Sequence, residues 1–185
     1  EGADSIDWVF YENLYDRLNA DLCFNRNRVF SLGKRSGAQL SNELGCKYAG
    51  DSLRPIRGVG VNQGALPRDP AYVPTCSMAP VAGLWLHEAD DPTWPFSDAK
   101  LAIDRAMTLA SCSPGSSFDT ATFENFPISR ALPDDTCRRI EGCDPLYPLV
   151  VCLRPGNQQG SNDVQVNSSF STFVKLFSAG SMLTQ

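Results

Sequence analysis

Apolar positions along the chain follow two rhythms that alternate. Ile6, Val9, Phe10, Leu14, Leu18 and Leu22 recur three and four residues apart, which predicts a helix from a Ser5 cap to about Leu22. Residues 22–25 end it, and 28–32 reads as a short strand. Leu40 and Leu44 share one face of a second helix over about 37–46. Residues 57–62 form a small-residue strand, followed by a Pro- and Gly-punctuated loop over 63–76. The stretch 81–87 is apolar throughout, as expected of a parallel strand covered on both faces. After a turn at 92–95, Leu101, Ile103, Ala106 and Leu109 mark a helix over 97–111. Residues 113–136 are polar and irregular, and short strands or a surface insertion are expected there. A further apolar strand at 148–153 and a polar loop at 154–162 lead to a closing amphipathic helix over 166–178, with Phe170, Phe173, Val174 and Phe177. Strands alternating with helices predict an α/β fold with a parallel sheet flanked by helices. No repeat and no second unit is evident, so 1–185 reads as one domain.

Composition narrows the function classes. With 42% hydrophobic residues among 185, the chain can bury a core. A net charge of −5 excludes a basic nucleic-acid footprint, and the pairs Lys34-Arg35 and Arg138-Arg139 are too short to make one. No apolar run reaches the roughly 18 residues that a membrane-spanning helix needs. Seven cysteines with no C-x-x-C spacing, beside the single histidine His87, do not fit zinc-ligand patterns, so no metal and no cofactor is expected. Disulfides in an oxidising compartment explain the cysteines better and predict a secreted or extracellular protein. Asn167-Ser168-Ser169 is an N-glycosylation triplet that adds to this expectation.

The chemistry concentrates at Gly33-Lys34-Arg35-Ser36-Gly37. A strand, a glycine-flanked turn and a helix in this order form the layout of a nucleophile elbow, G-x-S-x-G, which presents a serine above a parallel sheet. Both glycines are in place, and Arg35 stands where the nucleophile belongs. A helix N-terminus also favours anions, which gives Lys34 and Arg35 a second possible use.

Four segments together resemble the secreted α/β-hydrolase esterases that include feruloyl and acetylxylan esterases and polyhydroxybutyrate depolymerases. The first runs from the helix ending in Leu22-Cys23 through the elbow to Ser41-Asn42-Glu43-Leu44-Gly45-Cys46. The second is Pro80 to Phe96, within which His87 to Phe96 is similar to the family's H-G-x-x-D-P-x-V-P stretch. The third, Cys143 to Cys152, is similar to a G-C-x-x-x-Y-P-V-x-x-C segment. The fourth, 155–160, stands where the family has a Gly-rich turn with its catalytic histidine. The resemblance implies a partial α/β-hydrolase fold in which the family's N-terminal strands are missing from this chain. It puts the acid at Asp91, the nucleophile position at Arg35 and the base position at Gln159, or Gln158. His87 corresponds to a structural histidine. Ser36 follows the apex, where the family uses the backbone N–H for the oxyanion hole. The triad is thus degenerate, with only its acid present.

Further expectations follow from the resemblance. A sheet without the earlier strands has an open apolar edge, so a preceding segment, on a separate chain or a partner, is expected to complete it. Cys23 and Cys46 end the two helices that flank one strand and are expected to pair. The remaining Cys112, Cys137, Cys143 and Cys152 allow three pairings, of which the resemblance favours Cys143–Cys152 with Cys112–Cys137. Cys76 is left either as a buried thiol or as a link to the missing segment. Three functions stand open: an inactive esterase-like protein with a structural or assembly role, a carbohydrate-binding protein using the former cleft, and a residual carboxylic ester hydrolase. For the inactive form, an Arg35–Asp91 ion pair plugging the cleft is expected. For carbohydrate binding, the candidates are Lys34, Arg35, Ser36, Asp91, Trp94, Gln158 and Gln159, with a carboxylated or sulfated glycan as ligand.

Overall fold

The structure, a computed structural model, describes residues 6–65, 79–113, 115–126, 137–154 and 163–177. Helix α1 (Ile6–Asp21) leads through a single 3₁₀ turn (Arg26–Arg28) into strand β1 (Phe30–Lys34), which passes into helix α2 (Ser36–Tyr48). Strand β2 (Gly58–Asn62), strand β3 (Ala82–Glu88) and helix α3 (Phe96–Leu109) follow. After a 3₁₀ turn (Phe118–Thr120) come strands β4 (Phe123–Asn125), β5 (Cys137–Ile140) and β6 (Leu149–Arg154), then helix α4 (Asp163–Lys175).

The six strands form one sheet in the order β1-β2-β3-β6-β5-β4. The first four are parallel, and β5 and β4 extend them antiparallel. Every residue of β2 and β3 is buried, which is why these strands read as unbroken apolar or small-residue runs rather than as alternation. Helices cover both faces. On one, Val59, Val61, Trp85 and Val151 pack against Ala38, Leu44 and Tyr48 of α2 and Ile103 and Ala106 of α3. On the other, Leu84, Leu86, Val150 and Cys152 pack against Phe173 and Phe177 of α4. Trp85 is therefore a core residue, 2% exposed.

Strand β5 was hidden in the sequence because Cys-Arg-Arg-Ile has only its two ends buried, and it decides the disulfides. Cys137 stands directly opposite Cys152 in the antiparallel register and bonds to it. Cys112, just beyond α3, bonds instead to Cys143, in the turn after β5. The Asp144 N–H donates to the Ala110 carbonyl at 2.8 Å, which holds that turn against the helix end. The expected pairs Cys143–Cys152 and Cys112–Cys137 are thus exchanged. Cys23–Cys46 does not form either. Cys23 is a free, exposed thiol, while Cys46 is held in a different disulfide. Cys46 lines the groove toward α3, beside Val81, Ala102 and Ala106. Cys76 lies outside the described residues.

Helix α1 also departs from expectation. The stripe of Ile6, Phe10, Leu14 and Leu18 does not face the body of the chain: Ile6 and Phe10 are 82% and 65% exposed. The side carrying Trp8 and Tyr15 is buried instead. Polar contacts fasten that side. Tyr48 Oη donates to Glu12 Oε1 at 2.6 Å, Tyr11 Oη donates to the Arg54 carbonyl at 3.0 Å, and Arg54 pairs with Asp16 through two hydrogen bonds of 3.0 and 2.7 Å. Lys47 Nζ lies 4.3 Å from the centre of the Trp8 ring. A helix attached in this way forgoes about 1.5–3 kcal/mol for each large side chain left outside.

Non-reducing peptide mapping is expected to link Cys112 to Cys143 and Cys137 to Cys152. Iodoacetamide applied to the folded chain should label Cys23. Recovery of a Cys143–Cys152 peptide would contradict the β5 register.

Candidate functional site

The carboxyl ends of the parallel strands gather the candidate residues. The register places Lys34 beside Asn62, Asn62 beside Leu86, and Leu86 beside Cys152, so β1, β2, β3 and β6 end along one rim. Crevices outside the carboxyl ends of parallel strands are where open α/β sheets place their ligands.

At this rim the chain turns sharply from β1 into α2. Arg35 adopts φ 55° and ψ −117°, a left-handed conformation that side-chain-bearing residues rarely hold. It is fixed from both directions. Its N–H donates to the Asn62 carbonyl at 2.9 Å, and its carbonyl accepts from the N–H groups of Ala38 and Gln39, each at 3.0 Å. The turn is so tight that a Cβ on Gly33 would overlap the Gly37 carbonyl oxygen, whereas one on Gly37 would meet open space. The two glycines of the motif thus have unequal duties, with only Gly33 required by close approach. Lys34, Arg35 and Ser36 are all exposed.

Asp91 follows β3, two strands away from β1, which puts the two loops about 10 Å apart across the sheet. The expected Arg35–Asp91 ion pair does not form. Asp91 Oδ1 accepts from the N–H groups of Thr93 and Trp94 at 2.8 and 3.0 Å, so the carboxylate closes its own turn. Among the described residues no carboxylate pairs with Arg35. Trp94 is half-buried beside this turn. Gln158 and Gln159 lie outside the described residues.

His87 is fully buried within β3. Its Nδ1 lies 3.1 Å from the Glu88 carbonyl, its ring packs 5.5 Å from Phe96, and its Nε2 meets no partner among the described residues. Burial pushes the imidazole below its usual value of 6.5, with the Glu88 carbonyl contact and the nearby Asp91 charge opposing the shift. Burial therefore favours the neutral ring over the imidazolium in the folded chain.

Pattern reading passed over several residues at the rim. Asn62 and Gln63 are fully buried between the elbow and the Asp91 loop, and Gln63 has a positive φ of 53°. The signal was two polar residues closing a run of small apolar ones. Glu88 and Arg154, the last residues of β3 and β6, are register partners and form an ion pair of 3.4 Å with only 2% and 14% of their side chains exposed. No local pattern joins two residues that far apart in sequence. Among the described residues no cluster of His, Cys, Asp and Glu suits a metal ion.

No protein-family model matches the chain, and no curated protein matches it. Solved structures do. The chain is similar to a Bacillus cereus carboxylesterase at 13% identity and TM-score 0.52, covering 94% of this chain and 64% of that one. It is similar to the esterase PE8 at 11% identity and TM-score 0.52, covering 91% and 57%. It also matches Arabidopsis thaliana SOBER1 at 14% identity and TM-score 0.49, covering 95% and 67%. The chain thus spans between 57% and 67% of these proteins' lengths. At such identities the likeness to the first two shows the fold alone: a mostly parallel sheet flanked by helices, of the α/β-hydrolase type.

Two outcomes test the geometry. Gly33→Ala should cost about 3 kcal/mol in denaturant unfolding or prevent folding, while Gly37→Ala, early in α2, should be neutral or stabilising by up to about 1 kcal/mol. For His87, the unfolded chain takes up the proton first as pH falls, because the folded value is depressed. Stability is therefore present above about pH 6.5 and declines below it. His87→Leu should remove that slope from the pH dependence of unfolding. An unchanged slope would place its origin elsewhere.

Proposed function

We propose that the chain is a catalytically silent esterase-like protein with a structural or assembly role outside the cell. Within the esterase fold, the proposal assigns it to the secreted group that includes feruloyl and acetylxylan esterases and polyhydroxybutyrate depolymerases. The observation that carries the reading is the side chain at the elbow apex. A guanidinium stays protonated and cannot attack an acyl carbon. Ser36, one residue on, needs a base. The single histidine is fully buried in β3, and an amide at the base position, Gln159, cannot accept and return a proton near neutral pH. Losing either partner of a nucleophile–base pair costs orders of magnitude in rate. The disulfides Cys112–Cys143 and Cys137–Cys152 support an extracellular setting. Asn167, exposed on α4, is the proposed glycosylation site.

A second reading, carbohydrate binding at the former cleft, draws support from Arg35, which is exposed and has no carboxylate partner among the described residues. A planar guanidinium suits a glycan carboxylate or sulfate bidentately, with the half-buried Trp94, on the loop two strands away, as a stacking face.

Hydrolysis of p-nitrophenyl acetate and of feruloyl esters is expected to equal the uncatalysed background and to be unchanged by Ser36→Ala. Turnover abolished by Ser36→Ala would contradict the silent reading and restore the residual hydrolase. For the second reading, calorimetry with sulfated and uronic-acid oligosaccharides should show binding weakened about tenfold by Arg35→Ala and by Trp94→Ala. Binding indifferent to both substitutions would remove it.

A further inference from the structure

Asn42 Nδ2, Trp85 Nε1 and Arg105 Nε are buried donors with no acceptor among the described residues. They come from three different elements, α2, β3 and α3. All three residues wall one cavity of about 40 Å³, which Gly45, Val59 and Val81 also line. Gly45 lets α2 come this close, since a Cβ there would lie 2.6 Å from a Val59 methyl group. Asn42 and Trp85 are buried, and Arg105 is half-buried with its Nε shut from solvent. Val59 is the second residue of β2 and Val81 directly precedes β3, so the cavity lies toward the amino ends of these strands. The elbow and the Asp91 loop stand at their carboxyl ends. The cavity is no part of that rim.

A buried N–H without a partner keeps the full cost of leaving water, and such groups are rare in folded chains. Three of them around one cavity share a single deficit. Indole, guanidinium and amide nitrogens only donate, so whatever fills the cavity has to accept. Arginine is charged at every ordinary pH, and among the described residues no carboxylate pairs with Arg105. A cation with its Nε out of water is best matched by a negative charge. Size narrows the choice further. One water takes up about 10–15 Å³ of such space, so 40 Å³ admits a small ion and excludes a sugar or a peptide. The remaining walls are mostly apolar, through Val59, Val81, Ala102 and Ala106, which strengthens a charge-assisted hydrogen bond inside. We infer that this cavity is a binding site for a compact monovalent anion, a halide or the carboxylate of a small acid, held by Asn42, Trp85 and Arg105. The ion ties α2 and α3 to β3 through one shared acceptor. This site is independent of whether the elbow is catalytic.

Indole N–H resonances of the 185-residue chain report on the site directly. Sodium chloride or sodium formate is titrated in at constant ionic strength, balanced with sodium methanesulfonate, whose anion is too large to enter. The Trp85 indole proton should shift and saturate, while that of Trp94, on the Asp91 loop, stays in place. Saturation by one of the two salts alone supports the site and assigns it to that ion. Arg105→Met should weaken the apparent affinity about tenfold, and chloride should raise the melting temperature of the natural chain more than that of the variant. Asn42→Ala removes a different donor, should weaken binding as well, and serves if Arg105→Met fails to fold. A Trp85 resonance indifferent to both salts would overturn the inference and leave the cavity to water or to the Asn42 carbonyl turned toward the indole. A response unchanged in the folded variants would overturn it too.

Discussion

Strand β1 and helix α2 meet with almost no room between them, and the rim of the sheet is arranged by that crossing. Gly33 lies against the Gly37 carbonyl, and Gly64, from the loop after β2, fits against Ala38 and the Arg35 carbonyl. A residue forced to φ 55° and ψ −117° costs about 1–3 kcal/mol, which the Asn62 carbonyl and the first amides of α2 offset. The demand is on the backbone. It dictates a glycine before the apex and a projecting side chain at it, and it is indifferent to what that side chain is. The same backbone demand is met with serine or with arginine at the apex.

The second constraint is the sheet's need for cover. β2, β3 and β6 have helices on both faces, whereas β1 is only half-buried and flanked by a helix whose Ile6 and Phe10 face outward. Helix α1 can lie this way because Trp8, Tyr11 and Tyr15 with Glu12 and Asp16 hold it to the chain. Phe10, Leu14 and Leu18 line a groove beside β1.

Legibility in the sequence followed burial. β2, β3 and β6 are continuous small or apolar runs because both their faces are covered, whereas α3 was legible only in part: Ile103 and Ala106 are buried beside Ala99, Ala102 and Met107, and Leu101 is 67% exposed. The strand-to-helix turn was legible because Gly33 records a steric demand directly, whereas Gly37 records none. β5 was not, since its middle residues are arginines half or fully outside the core. The disulfides went with it, because the register of β5 on β6 sets Cys137 against Cys152. The spacing of α1 showed a stripe but not its direction, as helical periodicity carries no information about which side finds a partner. At the site, Asp91 lies in the loop after β3, and its turn-closing role depends on two backbone N–H groups that no motif encodes. The Glu88–Arg154 pair arises from strand register alone.

The central claim is that the elbow keeps its shape without its chemistry. Intact-mass spectrometry after incubation with a fluorophosphonate, which captures activated serines covalently, tests this most directly. The account predicts an unmodified mass for the chain. A stoichiometric adduct mapping to Ser36 would show an activated nucleophile at the elbow and contradict it.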